Sequence, residues 1–90
     1  MRLIWTADAR RDAANVFEYI SERNPVAAEK IADRLILTAE RLVDHPHLYR
    51  SGRIAGTREA VAHPNYILVY RVGSDLVEIL AVLHTRQNYP

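Results

Sequence analysis

The sequence predicts an α+β fold with the order β-α-α-β-β-β, in which a helical hairpin packs on a small antiparallel sheet. Two stretches with apolar residues at helical spacing meet at Asn24-Pro25 with almost no loop between them. Two β-rich runs, Tyr66 to Val72 and Leu76 to Arg86, flank the turn residues Gly73-Ser74-Asp75. Ninety residues suffice for one core and leave no room for a second, so residues 1–90 are expected to form a single domain.

The first half of the chain predicts one strand and two helices. Arg2 to Trp5 is short and apolar enough for an opening strand, and Thr6 or Asp8 can cap the helix that follows. That helix is expected to run to about residue 23, with its apolar stripe at Ala9, Ala13, Val16 or Phe17, and Ile20.

The second helix is expected to begin at Asn24-Pro25, because Asn is a good N-cap and Pro suits the first helical position. It should end near Asp44, where His45-Pro46 stops it. Its stripe is Ala28, Ile31, Ala32, Leu35, Ala39 and Leu42. Two long helices with so short a connection form an antiparallel hairpin, which we expect to cover the apolar face of the sheet.

The second half predicts three strands, the first of them from Ile54 to Ala62 and followed by the turn residues His63-Pro64-Asn65. The preferred register of the last two strands keeps Glu78 out of the core, where an unpaired carboxylate would be costly. One face then carries Tyr66, Leu68, Tyr70, Val72, Val77, Ile79, Ala81 and Leu83. The other face carries Arg71, Glu78, His84 and Arg86 among Ile67, Val69, Leu80 and Val82.

Composition excludes several classes of protein. Absence of cysteine rules out disulfides and thiolate zinc sites, and no apolar run approaches the ~20 residues that span a bilayer. A cytoplasmic location is therefore expected, with no membrane partner. The net charge is only +1, although eleven arginines stand against one lysine. An arginine-rich surface suits an anionic substrate or an acidic protein partner, and a genomic composition bias would explain it equally well.

Three segments carry a resemblance to a known family: GTRE at residues 56–59, HPNYILVYRV at 63–72 and VEILAVLHTRQNYP at 77–90. They resemble the ParE/RelE superfamily of toxins from bacterial type II toxin–antitoxin modules, and the ParE branch most closely. The resemblance implies a small protein that inhibits bacterial growth unless a cognate antitoxin wraps around it in a hetero-oligomer. It implies no cofactor.

The two branches of the superfamily differ in chemistry. RelE-like members cut mRNA on the ribosome, whereas ParE-like members poison DNA gyrase. The mRNA-cutting relatives usually carry a basic residue where this chain has Tyr66-Ile67, and they tend to be strongly basic overall. Both departures favour gyrase poisoning. A ribosome-dependent mRNA endonuclease is the alternative, which would make the protein an enzyme, and an inactive member that only binds antitoxin is a third possibility.

Candidate site residues follow from the predicted sheet. Arg58, Arg71, His84 and Arg86 are the expected target contacts, and with a turn at Pro64-Asn65 the Arg58 side chain falls on the same face as Arg71. The alternative for Arg71 is an ordinary surface pair with Glu78. If the protein is a ribonuclease, the catalytic candidates are Arg58, Arg71 and Arg86 as cations, with His84 or Tyr89 as acid or base.

Antitoxin contact is expected at apolar helix residues that fall off the main stripes, namely Phe17, Ile36, Leu37 and Val43. A broad stripe facing the core explains these residues equally well. His45, His47 and His63 are scattered, with no companion carboxylate cluster, so no metal site is expected.

Overall fold

The computed structural model describes residues 1–87, which form two helices and five strands. The elements in chain order are β1 (Arg2–Trp5), α1 (Ala7–Ser21), α2 (Pro25–Asp44), β2 (Arg50–Ser51), β3 (Arg58–His63), β4 (Tyr66–Val72) and β5 (Leu76–His84). The predicted α+β class and the helical hairpin on a small sheet are confirmed. In the described part of the chain, neither helix is long and apolar enough to cross a membrane.

Both helices begin where their caps predict. The Thr6 hydroxyl accepts a hydrogen bond from the Ala9 amide at 3.1 Å, which satisfies one of the free donors at the start of α1. The Asn24 side chain does the same for the Ala27 amide at 3.1 Å, and Pro25 is the first residue of α2. Only residues 22–24 separate the helices, so α1 and α2 pack side by side.

The sheet has the strand order β1-β5-β4-β3-β2. β1 pairs in parallel with β5 and the other neighbours are antiparallel, so the predicted small antiparallel sheet is mostly antiparallel, with β1 as the parallel edge strand. The short strand β2 was not predicted. β3 begins at Arg58 instead of Ile54, because residues 52–57 form a turn in which Gly56 adopts a φ of 81°.

The core lies between the helices and one face of the sheet, which we call the helix face. The sheet contributes Tyr66, Leu68, Tyr70, Val77, Ile79 and Val82, and the helices contribute Ala9, Leu35, Ala39 and Leu42. Trp5 and Val16 pack against this cluster, while Phe17 remains partly exposed. The predicted positions of Leu68, Tyr70 and Ile79 on the apolar face are confirmed. The opposite side of the sheet is called the back face below.

A β-bulge in β5 reverses the predicted orientation of its second half. Val69 pairs with Ala81 while the next residue, Tyr70, pairs with Ile79, so Leu80 has no partner in β4. Beyond the bulge, Val82 lies opposite Leu68 and His84 lies opposite Tyr66, both on the helix face. The predictions that Ala81 and Leu83 face the core, and that His84 shares a face with Arg71, are therefore wrong.

A second bulge, in β3, reverses the predicted orientation of Arg58. His63 pairs with Tyr66 and Val61 pairs with Ile67, so Ala62 is the additional residue. Arg58 then lies opposite Tyr70 on the helix face, whereas Arg71 pairs with Glu78 on the back face. The prediction that Arg58 and Arg71 share a face is wrong, because a single extra residue in a strand exchanges the two faces.

Asp12 of α1 closes the edge of β5 that β1 leaves uncovered. Its carboxylate accepts a hydrogen bond from the Val82 amide at 3.0 Å. β1 ends at Trp5, opposite Ile79, so no strand supplies an acceptor for this amide. The Asp12 carboxylate therefore supplies the acceptor that a neighbouring strand would otherwise provide for the Val82 amide, and this hydrogen bond connects α1 to the sheet.

Replacing Asp12 by alanine is expected to lower the free energy of unfolding by about 1 to 3 kcal/mol, because the Val82 amide loses its acceptor in a part-buried position. Chemical denaturation of the two proteins measures this difference. Asp8→Ala is the matched control on the same helix, since the exposed Asp8–Arg11 pair is worth at most about 1 kcal/mol. Equal losses in the two variants would show that the Asp12 hydrogen bond contributes nothing beyond a surface carboxylate.

Candidate functional site

Arg58 serves to anchor the segment between α2 and β2. Its guanidinium donates to the carbonyl oxygens of Tyr49 at 2.8 Å and His47 at 3.4 Å. The neighbouring Tyr70 hydroxyl donates to the Pro46 carbonyl at 3.0 Å, and burial raises the pKa of Tyr70. The two side chains thus hold one chain segment from the helix face of the sheet, and the Arg58 contribution comes from its Nη1.

Arg71 forms an ion pair with Glu78 across β4 and β5. This is the surface pair considered as the alternative for Arg71, and it partly neutralises the guanidinium. The side chain remains largely exposed on the back face. Arg71 is therefore accessible to a partner, but a contact there competes with Glu78.

His84 lies at the far end of β5, packed edge-on against Tyr66 with ring centroids 5.3 Å apart. Its Nδ1 accepts a hydrogen bond from the Arg86 amide at 3.1 Å, which leaves Nε2 as the nitrogen that can carry the proton in the neutral ring. Burial also raises the pKa of the Tyr66 hydroxyl. The bulge in β5 has placed His84 on the helix face, away from Arg71.

Arg86 follows β5 on an exposed turn, and its guanidinium makes no hydrogen bond or ion pair with any of residues 1–87. Tyr89 lies outside the described residues. Within the described ones the predicted target contacts are not brought together: Arg58 and Arg71 lie on opposite faces at one end of β4, and His84 and Arg86 lie at the other end.

A groove of about 90 Å³ runs between α1 and α2, and two of the predicted antitoxin contacts line it. Phe17 is 43% exposed and Ile36 is 54% exposed, so both present apolar surface to solvent. The remaining lining residues are Trp5, Ala13, Val16, Ala28, Ile31, Ala32 and Leu35. Leu37 is not among the residues that line the groove. Val43 is half-buried and follows Ile36 by two helical turns, on the same side of α2.

A buried carboxylate on the back face was missed from the sequence. Glu59 is only 3% exposed, and its two oxygens meet Arg50 Nη2 at 3.0 Å and Arg53 Nε at 3.6 Å. The only sequence feature that indicated a buried carboxylate nearby was the presence of Arg50 and Arg53 in the segment before β3. Their side chains could be assigned to Glu59 only once β2 was known to pair Arg50 with Glu59. Among residues 1–87, no three His, Cys, Asp or Glu side chains form a group that could hold a metal ion.

The model of the family described as "ParE toxin of type II toxin-antitoxin system, parDE" matches residues 3–89 of this chain. The chain belongs to the ParE toxin family. It is 39% identical over 90 residues to the protein Y4kP of Sinorhizobium fredii, covering 99% of this chain and 93% of that protein. It is 34% identical over 85 residues to the toxin RelE2 of Caulobacter vibrioides, covering 92% and 93% of the two chains.

Two solved structures share the fold of this ParE-family toxin. A chain of the chromosomal ParDE system from P. aeruginosa superimposes with a TM-score of 0.82 at 20% identity, covering 93% of this chain and 95% of that one. The YoeB/ParE toxin from Agrobacterium tumefaciens gives 0.67 at 18% identity, covering 99% and 100%. The family match shows the protein to be the toxin component of a type II toxin–antitoxin system, and this context implies an antitoxin partner.

Proposed function

We propose that this ParE-family toxin inhibits bacterial growth by poisoning DNA gyrase through protein contacts. The observation that supports a protein-contact mechanism is the scatter of the candidate cations. Arg58 and Arg71 lie on opposite faces of the sheet, and Arg86 lies at the other end of β4. Such a distribution suits recognition by a surface better than chemistry at one bond.

Cleavage of RNA through the 2′-hydroxyl requires several catalytic groups around one phosphate, and the candidate cations of this chain are too scattered for that. A base, a cation and a proton donor must all come within hydrogen-bond reach, about 3 Å, of one phosphate. Within residues 1–87, His84 offers its Nδ1 to the Arg86 amide, Arg58 is engaged with backbone carbonyls, and Arg71 is paired with Glu78. The net charge of +1 likewise supplies little attraction for ribosomal RNA.

A ribosome-dependent mRNA endonuclease is the second candidate. The observation that favours it is the 34% identity to a relative named the toxin RelE2. In that case the catalytic candidates would be Arg58, Arg71, Arg86 and Tyr89. The third candidate is a family member without toxicity, which acts only as the partner of its antitoxin.

Brief induction of the toxin without antitoxin separates the three candidates. Chromosomal DNA breaks with intact transcripts are expected, and supplying antitoxin should reverse them. Purified toxin should trap gyrase on cleaved plasmid DNA while leaving ribosome-bound mRNA whole. Transcript cleavage within codons on the ribosome would replace the proposal with the endonuclease. Normal growth at confirmed expression would leave only the antitoxin-binding function.

The antitoxin is proposed to cover the groove between α1 and α2. Phe17 and Ile36 present apolar surface on either side of it, and small side chains, Ala13 and Ala32, form part of its lining. Such a surface fits the apolar face of an amphipathic helix. Leu37 and Val43 remain predicted contacts, although neither lines the groove.

Arg86→Ala is expected to weaken gyrase poisoning by about tenfold or more, because this exposed guanidinium has no competing partner within residues 1–87. Arg71→Ala is the matched control on the back face and should have a smaller effect, since Glu78 already occupies its guanidinium. Both variants should keep wild-type antitoxin affinity. A larger effect at Arg71 than at Arg86 would move the target contact to the back face of the sheet.

A further inference from the structure

The turn that carries Arg86 is held by a network of hydrogen bonds. The Gln87 amide donates to the His84 carbonyl at 2.9 Å, and the Gln87 side chain accepts from the His84 amide at 3.3 Å. Thr85 donates its amide to the Asn65 carbonyl at 2.8 Å. These contacts attach the turn to β5 and to the start of β4.

One further contact joins the turn to the segment that precedes β3, on the far side of β4. Arg53 Nη1 donates to the Gln87 carbonyl at 3.4 Å, 34 residues away in the chain. The same side chain meets Glu59 through its Nε at 3.6 Å, and the Arg53 amide donates to Glu59 Oε2 at 3.3 Å. Because β4 lies between β3 and β5, the Arg53 side chain bridges from β3 to the end of β5. The back-face residues of β4 between them, Ile67 and Val69, are buried.

We propose that Arg53 is a positioning residue, which uses the buried carboxylate of Glu59 as its anchor and holds the turn that presents Arg86. The inference rests on the proposed role of Arg86 in target contact. A guanidinium is suited to the task, since its planar fork can bind a carboxylate with one edge and a carbonyl with another. The Glu59 carboxylate is held in place because it is only 3% exposed and also forms an ion pair with Arg50 Nη2 at 3.0 Å.

The chain provides a matched control for this role. Arg50 binds the same carboxylate as Arg53, but its contacts within residues 1–87 do not include the turn at 84–87. Arg50→Gln and Arg53→Gln therefore each remove a positive charge beside the Glu59 carboxylate, and only Arg53→Gln also removes the Nη1 donor to the Gln87 carbonyl. Any effect shared by the two variants belongs to the Glu59 anchor, and the difference between them belongs to contacts that Arg53 makes and Arg50 does not, among them the contact with the Gln87 carbonyl.

Amide hydrogen exchange and gyrase poisoning of the full-length chain test the proposal. Arg53→Gln is expected to speed exchange at Thr85 and Gln87 by about tenfold, the effect of one hydrogen bond worth about 1.4 kcal/mol, and to weaken poisoning by a similar factor. Arg50→Gln should change both by less than about threefold. In an Arg86→Ala background, Arg53→Gln should weaken poisoning no further, because the two residues act through one contact.

Equal exchange rates at the turn in the two variants would overturn the positioning role, and so would equal losses of poisoning. The exchange measurement needs no target, so it tests Arg53 independently of the proposed function. If Arg86→Ala leaves poisoning unchanged while Arg53→Gln still loosens the turn, the role of Arg86 is wrong and the role of Arg53 in holding the turn stands.

Discussion

Phe17→Asp is expected to weaken antitoxin binding by about 30-fold to 1,000-fold, or about 2 to 4 kcal/mol. The substitution removes an aromatic side chain from the groove between α1 and α2, and it places a carboxylate where the antitoxin would exclude water. Phe17 is 43% exposed in the free toxin, so the fold should tolerate the change. Titration calorimetry with purified antitoxin, or with a peptide of its toxin-binding segment, measures the loss.

Val26→Asp is the matched control for this experiment. Val26 is also an exposed apolar residue on a helix, at 62%, but it lies at the start of α2 and does not line the groove. Its substitution should change antitoxin affinity by less than about threefold, as expected for a residue outside the contact. Comparable losses for Phe17 and Val26 would place the antitoxin elsewhere on the helices and remove the groove from the proposal.

Leu68→Ala is expected to destabilise the toxin by about 3 kcal/mol, within the 2 to 5 kcal/mol typical of a large core residue cut to alanine. Leu68 is 0% exposed in the central strand β4, opposite Ala60 on one side and Val82 on the other. A domain of this size has a total stability of roughly 5 to 10 kcal/mol, so the melting temperature should fall by at least about 10 °C. Thermal denaturation followed by circular dichroism measures the shift.

Leu48→Ala makes the same chemical change on the surface, because Leu48 is 71% exposed between α2 and β2. It should alter stability by no more than about 0.5 kcal/mol. A small effect at Leu68 together with a large one at Leu48 would contradict the placement of the core between the helices and β4.

The helices could be predicted from the sequence because their signals are local. Thr6 and Asn24 cap the first turns through side-chain hydrogen bonds that span three residues, and Pro25 stands at the start of α2 as expected. The core stripes follow from helical periodicity in the same way. Phe17 and Ile36, which were assigned outside the main stripes, are exposed and line the groove between the helices.

The candidate site could be predicted only in part. Arg86 was expected as a target contact from the predicted sheet, and the residue is exposed. Arg58, Arg71 and His84 were expected on one face, and the two bulges separate them. The Glu59–Arg53 contact was beyond prediction because it depends on the pairing of β2 with β3. The Arg53–Gln87 contact was beyond prediction because its partners are 34 residues apart in the chain.

The sequence by itself determined the order of the two helices and the four longer strands, since caps, turns and apolar periodicity act over a few neighbouring residues. The family was indicated separately, by the resemblance of residues 56–59, 63–72 and 77–90 to the ParE/RelE toxins. Only the tertiary structure decided which faces Arg58 and His84 occupy. The run from Leu76 to Leu83 is apolar on both faces apart from Glu78, so its local energy is nearly the same in either orientation. The bulges settle the orientation, and they are held by distant groups: Asp12 binds Val82 beyond Leu80, and Arg34 binds the carbonyl of Ala62 at 3.1 Å.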